Sequence, residues 1–513
     1  MSLISHQISF GQFFTPKPVA DFMVSLLVSG KNAKILEPAG GEGVFLDALQ
    51  EAGFNHLSAY EIDSCLISHA CVRNESFVGS RLPENHFDAI IGNPPYIRWK
   101  NLNPAAKEEL AHHDLWQRYC NSLCDYLYIF ILKSIQLLKD GGELIFICPD
   151  YWLSTKHALE LRRFMLEYGG FEKIIRFHET PVFPKVNSSI MIFHYRKNIK
   201  PKEIQVWQCE SRIKLNDENL IGLETLPNTK YFTICQFDQA ENWLFADKSE
   251  SNKIRRLEQN CNIYSNGYVT IGDICDIGNG MVSGLDKAFQ TTLNGVHTPD
   301  EYAASIKVAK ARNLKPYCVN QTTDYIFVQD NYSEVEFAKR FPHFYHDLQP
   351  YRDQLGKRYS YGKNLAYWQW AFLRNYALFS RPERRILVPC KERITHKTHF
   401  RFALAEADIY PTQDVTALFK KAGTRESLEY IVAYLNQSSV FHWLKHKGVV
   451  KGGIVEFSEK PLASIPFRQI NWQNTQEKEI HECITLSVKN YSESMDVGHL
   501  KVIREQFKKL GVS

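Results

Sequence analysis

Asn93-Pro94-Pro95-Tyr96 closes an apolar, β-branched run, Phe87 to Gly92, and brings together groups suited to one kind of chemistry. The two prolines fix φ and donate no backbone N–H, so the turn holds the Asn93 side-chain amide and a bare carbonyl at one spacing, with the Tyr96 ring beside them. Two acceptors placed that way suit a planar amine. The amino nitrogen of adenine, cytosine or a carboxamide is a poor nucleophile because its lone pair is delocalised, and acceptors on its hydrogens favour the pyramidal form that can attack a methyl donor. Tyr96 would stack on the ring. The same four residues also suit a plain Pro-Pro turn after a core strand, so the surrounding elements decide between the two.

Those elements alternate. Phe87 to Gly92 reads as a buried strand whose carboxyl end is, in an open α/β sheet, the edge where ligands bind. Upstream, Phe10 to Pro16 precedes apolar residues at Val19, Phe22, Met23, Leu26 and Leu27, which predicts a helix with Thr15 as N-cap and Pro16 at its first position. Ala33 to Glu37 reads as a strand, Pro38-Ala39-Gly40-Gly41-Glu42-Gly43 as a glycine turn and Val44 onward as a helix, a layout that lets backbone approach a ligand closely. Ser58 to Glu61 is the next strand. Its Glu61 lies about twenty residues past the glycines, the spacing at which an acid accepts hydrogen bonds from ribose hydroxyls, and Ile62 would flank an adenine. The turn lacks GxGxxG, which favours a nucleoside without pyrophosphate. Downstream, Ile97 to Cys124, with Arg98, Trp99, Lys100 and Trp116, reads as irregular or short-helical chain that shapes or covers the pocket. A helix over 125–138 ended by Asp140-Gly141-Gly142, a strand over 143–148, a helix over 156–168 and strands over 173–178 and 189–195 complete a doubly wound pattern. In Pro181-Val182-Phe183-Pro184-Lys185-Val186-Asn187, between the last two strands, Phe183 is either a hydrophobic plug or a second stacking surface opposite Tyr96.

Bulk properties narrow the class without naming it. A chain of 513 residues exceeds one ordinary core, so two domains are expected, and a net charge of +4 permits a polyanionic partner without demanding one. The twelve cysteines show no paired CxxC spacing and no zinc set, and read as free thiols in a reducing compartment. No basic leader followed by an apolar stretch and no apolar run of about twenty residues occurs, so a soluble, cytoplasmic protein with no membrane partner is expected.

With these residues placed, positions 10–207 resemble the N6-adenine DNA methyltransferases of type II restriction-modification systems, in the gamma arrangement, and the TaqI-type enzymes in particular. The resemblance implies that Thr15 and Pro16 pack on the methionine end of S-adenosylmethionine and that Glu37, Pro38, Ala39 and Gly40 form the main cofactor loop. Glu61 and Ile62 then contact ribose and adenine, Asn93, Pro94, Pro95 and Tyr96 form the catalytic turn, and Phe183 stacks on a flipped-out adenine. One departure stands out. The family places an aspartate on the strand between Glu61 and Asp88, at the cofactor adenine; here that stretch is Phe77-Val78-Gly79-Ser80-Arg81, so Ser80 substitutes or the contact is absent.

Beyond a boundary set near Gln236 the alternation fades into short strand-like runs separated by Gly, Asn and Asp turns, as at 268–277 and 325–328. Residues 351–401 interleave Arg352, Arg358, Arg374, Arg381, Arg384, Arg385 and Arg401 with Tyr359, Trp368 and Trp370, and Lys445 to Gly453 is a basic, glycine-rich loop. Such stretches answer phosphates and bases, or are solvated faces over a core. The expected architecture is therefore a doubly wound, Rossmann-like methyltransferase domain over 1–235 and a mixed α+β target-recognition domain over 236–513. The expected enzyme takes one adenine out of duplex DNA and methylates its exocyclic nitrogen from S-adenosylmethionine, with no metal and no covalent intermediate. It would act as a monomer and protect its site from a cognate restriction endonuclease. Rival readings are a methyltransferase for RNA adenine or protein glutamine, and a DNA-binding specificity subunit without catalysis.

Overall fold

The computed structural model describes residues 13–178, 180–183, 189–237, 239–240, 243–264, 267–394, 397–451 and 453–512. Phe10 to Gln12, Pro184 to Asn187 and Gly452, all used in the sequence reading, lie outside them. The chain divides into two compact units, 1–248 and 249–513.

The first unit is built on one nine-stranded sheet. Its elements are α1 (Lys17–Ser25), β1 (Lys34–Glu37), α2 (Val44–Glu51), β2 (His56–Tyr60), β3 (Val72–Arg73), β4 (Phe87–Gly92), α3 (Pro104–Ala111), α4 (Asp114–Tyr119), α5 (Leu127–Leu137), β5 (Leu138–Pro149), α6 (Leu159–Tyr168), β6 (Gly169–Arg176), β7 (Ile190–Lys197), β8 (Glu203–Cys209), α7 (Asp217–Ile221) and β9 (Thr229–Cys235). The sheet order is β3-β2-β1-β4-β5-β7-β6-β8-β9. Strands β3 to β5 are parallel neighbours, and β7 runs antiparallel between β5 and β6. Alternation along the strands explains why both faces are covered: Leu36, Ile90, Leu144 and Phe146 point into one core with α5, while Ile35, Ile91, Ile145 and Ile147 point into another with α1 and α2. Because β1 is followed by β2 on one side and paired with β4 on the other, the chain reverses direction across the sheet between β1 and β4. The carboxyl ends of these two strands border the crevice that this switch opens.

Two expectations shift. Helix α1 is capped by Pro16, whose carbonyl accepts the Val19 and Ala20 amides, and Thr15 makes no side-chain cap; its hydroxyl is used elsewhere, as shown below. Residues 236–248 pack with the first unit and not beyond it. Gln236 hydrogen-bonds the N–H and the carbonyl of Phe171, and Phe237, Trp243 and Phe245 close on Phe171 and one another.

The second unit is mixed α+β. A six-stranded sheet runs Cys275–Asn279, Val415–Lys420, Arg385–Pro389, Ala403–Ala405, Tyr317–Val319, Leu314–Lys315, beside smaller sheets of four and three strands and the helices Thr475–Ser494 and Gly498–Lys509. Of the 268–277 run, only its end is strand; Ile271–Ile274 is a helical turn with a Thr270–Asp273 capping box. No helix among the described residues is long and apolar enough to cross a membrane.

Candidate active site

A cavity opens at the β1–β4 crevice, and its walls bring together chain segments far apart in sequence. Thr15, Glu37, Pro38, Ala39, Gly40, Glu61, Ile62, Asn93, Pro94 and Pro95 all line it, so most of the residues singled out by type and spacing converge on one space. Pro16, Tyr96, Phe183 and Ser80 do not.

The Asn93 amide is oriented by its donors. Its Nδ2 donates to the Phe13 carbonyl at 2.7 Å and to Thr15 Oγ1 at 3.1 Å. Its Oδ1 is buried and accepts no hydrogen bond among the described residues. A buried acceptor left open in this way costs free energy unless a ligand or water supplies the donor. Behind the turn, Tyr96 carries the Phe13 ring parallel to its own, with centroids 4.9 Å apart and 3° between planes. Phe183 completes the aromatic group, 6.5 Å from Tyr96 and 5.9 Å from Phe13. At 1% exposure, packed in the core with Val182 and Ile190, Phe183 is buried at the back of this group. Burial also holds the Tyr96 phenol above its usual range, so its hydroxyl stays protonated.

Carboxylates line the other end. Glu61 accepts the Gly41 amide at 2.7 Å on Oε2 and the Asp63 amide at 2.8 Å on Oε1, which fixes it across the glycine turn. Gly41 and Gly43 take φ of +52° and +87°, where a side chain would be strained, and Gly43 is the N-cap of α2. Glu37, 1% exposed, keeps Oε2 without a partner. Burial first, then the nearby Glu61 and Asp47 carboxylates, hold the Glu37 carboxyl well above the usual range. Glu42 and Glu75 also reach the wall, and no Lys, Arg or His is among the described lining residues. Such a wall repels phosphate and favours a cation. This donor set fits S-adenosylmethionine, which carries a sulfonium and an ammonium and no phosphate.

Ser80 needs correction. Its hydroxyl donates to the Phe77 carbonyl, and its own carbonyl and hydroxyl receive Lys133 Nζ, which also takes the carbonyls of Phe77 and Val78. That buried ammonium, pulled down to about 8 by burial, fixes the turn and keeps Ser80 behind the wall. Ser76 and Phe77 line the cavity in its place. Sequence reasoning also passed over Phe13, quoted in Phe-Phe-Thr-Pro but given no role, and Tyr126 and Phe130, one helical turn apart at the start of α5. The basic stretch of the second unit is largely answered internally. Arg385 is fully buried on the carbonyls of Phe379, Arg381 and Ala407, Arg381 pairs with Asp276 at 2.7 Å, Arg352 with Glu334 at 2.6 Å, and Arg401 with Glu392 at 2.7 Å.

Comparison with known proteins gives the family. The chain is 49% identical to the Type II methyltransferase M.HindII of Haemophilus influenzae over 519 aligned positions, covering 99% of both chains. It is 47% identical to the Type II methyltransferase M.HincII of the same species, again over 99% of each. The family described as Eco57I restriction-modification methylase matches residues 49–183, which hold Glu61, the Asn93 turn and Phe183. Among solved structures, the Type IIL restriction-modification enzyme MmeI in complex with DNA is similar over 97% of this chain and 72% of its own, with a TM-score of 0.58 and 12% identity, a likeness of fold. Near half-identity along the whole length of two Type II methyltransferases, with a Rossmann-like first unit, shows that this chain belongs to the Type II DNA methyltransferases of restriction-modification systems.

Proposed function

We propose that the chain methylates the exocyclic N6 of an adenine taken out of duplex DNA, using S-adenosylmethionine, and so shields its recognition site from a restriction endonuclease that reads the same sequence. The observation that carries this reading is the open, buried Asn93 Oδ1 beside an aromatic face, with the amide nitrogen held by Phe13 and Thr15. When bound, S-adenosylmethionine supplies a methyl group on an electrophilic sulfonium. Glu61 and the glycine turn would hold its ribose end, and the carboxylate of Glu37 its cationic end. Asn93 Oδ1 and a carbonyl of the Pro-Pro turn would accept the two amine hydrogens, which localises the nitrogen lone pair toward the cavity. Asn93 is neutral and holds no proton, so the proton the amine gives up leaves to water. Tyr96, already in parallel contact with one ring, has the surface for a base lifted out of its stack. The relatives' roles in restriction-modification systems and the DNA bound in the MmeI structure support duplex DNA as substrate.

The test is to incubate the full chain with unmodified duplex DNA and labelled S-adenosylmethionine, digest the product to nucleosides and separate them. Label in N6-methyladenine at one defined sequence is expected. Label in a methylated cytosine, or transfer to RNA or protein only, would overturn the reading.

A further inference from the structure

Asn74 Nδ2 donates to the carbonyls of Glu61 at 2.9 Å and Ile62 at 3.2 Å, which ties residues 74–77 alongside the ribose and base contacts expected at Glu61 and Ile62. Ser76 therefore faces the base end of the cavity, flanked by Phe77, whose ring packs 6.0 Å from Tyr60. The Ser76 hydroxyl donates its one hydrogen to Glu109 Oε2 at 2.9 Å. With that hydrogen committed, Ser76 Oγ can only accept, and its one backbone donor, Gly79 N–H, lies 3.3 Å away. Glu109 comes from α3 and reaches Ser76 through the space a side chain at position 79 would fill: a Cβ built on Gly79 would run into Glu109 Oε1. Lys133, on α5, clamps the carbonyls of Phe77, Val78 and Ser80 from behind and faces Glu109. The turn is thus held on two sides with one oxygen aimed forward.

We propose that Ser76, oriented by Glu109 through Gly79, is the hydrogen-bond acceptor for the exocyclic amine of the cofactor's base, and makes the cavity prefer a 6-aminopurine nucleoside over its 6-oxo counterpart. This rests on the reading that the cavity holds S-adenosylmethionine. An amine supplies the donor that Ser76 needs. A 6-oxo group brings a second acceptor against it and leaves both oxygens without a hydrogen between them. Ser76 contacts the ligand directly; Glu109 is a positioning residue acting through it.

The test uses the full chain and titration calorimetry with S-adenosylhomocysteine and S-inosylhomocysteine, so that binding is read without turnover. Wild type is expected to favour the amino form by about tenfold or more, the scale of a hydrogen bond backed by a charge. Ser76→Ala should bring the ratio close to one with an unchanged melting temperature, Ser76→Asp should keep or raise it, and Glu109→Gln and Gly79→Ala should lower it. A ratio that survives Ser76→Ala would overturn the inference, as would a ratio lost in Tyr126→Phe alone, since the Tyr126 hydroxyl stands beside Ser76. If wild type binds neither compound, the cofactor reading itself fails and the inference with it.

Discussion

At the scale of single residues, the site depends on which atoms are left without partners. Asn93 Nδ2 is tied twice while Oδ1 is open, so Asn93→Ala removes an acceptor from the reacting amine and takes nothing from the cofactor wall. Transfer should fall by about a hundredfold or more with cofactor affinity within a small factor of wild type, read by single-turnover methylation and calorimetry. Retention of more than about a tenth of the rate would remove Asn93 from that role. Glu37 gives a pH test. Its carboxyl lies above its ordinary value of 4.5 in the folded chain, so the folded state binds more protons than the unfolded one between that value and the raised one, and stability falls as pH rises through that window. Glu37→Gln should therefore melt higher than wild type near pH 8, with the difference shrinking toward about pH 5. Affinity of the wild type for S-adenosylmethionine should climb with pH over the same window, because the ligand's positive charge favours the ionised carboxylate; a flat profile would separate Glu37 from the cation. Residue types announced these positions because their chemistry is local: an amide on a Pro-Pro turn or a glutamate at a strand end carries its meaning in the chain. Ser76 did not announce itself, since its meaning comes from Glu109, thirty-three residues on, and from the empty place at Gly79.

At the scale of elements, β4 was legible as an apolar run cut by glycine and proline, and β1 and β2 by the glycine turn between them, because burial on both faces leaves strands almost wholly apolar. What sequence could not give was which strand lies beside which. The β1–β4 pairing that makes the crevice is a fact of crossover, as is β7 inserted antiparallel between β5 and β6. Phe183, in the loop before β7, shows the consequence. As a loop aromatic it read as plug or platform, and the structure gives it both surroundings: core neighbours behind it, and Tyr96 and Phe13 in front. Phe183→Ala should then lose stability, by about 3 kcal/mol, as a buried ring does. Phe183→Leu keeps most of the volume but no flat face, so its melting temperature should fall little while methylation slows by about fivefold or more, the low end of base stacking. If Phe183→Leu turns over at the wild-type rate per folded molecule, the ring is a plug and Tyr96 alone offers a stacking face.

At the scale of the whole molecule, the boundary between the units decides what can be cut. The fall in alternation after Lys197 suggested an end near Gln236, because sequence shows a change of pattern and not what the last residues pack against. In the structure, residues 236–248 finish the first unit. Gln236 closes both backbone groups of Phe171, Trp243 lies against Phe171 and Trp152 and stacks on Phe237 at 4.3 Å, and the Ala240 carbonyl accepts from the buried Arg162 at 2.7 Å. Removing three aromatic side chains from a packed surface costs about 3–5 kcal/mol each, which together approaches the whole stability of an ordinary domain, about 5–15 kcal/mol. A fragment ending at 235 should therefore fail to fold or melt far below one ending at 248, although they differ by thirteen residues. The 1–248 fragment should bind S-adenosylmethionine with near wild-type affinity, because every described residue lining the cavity lies within it. Its preference for one DNA sequence should be lost if base contacts belong to the second unit. Many of the arginines of 351–401 are paired with carboxylates or backbone carbonyls, so the salt dependence of DNA binding by the full chain should be shallower than that stretch's charge would suggest. Melting curves of the two fragments, calorimetry on the longer one and methylation mapping with it would settle the assignment: one defined methylated site from 1–248 alone would place sequence reading in the first unit.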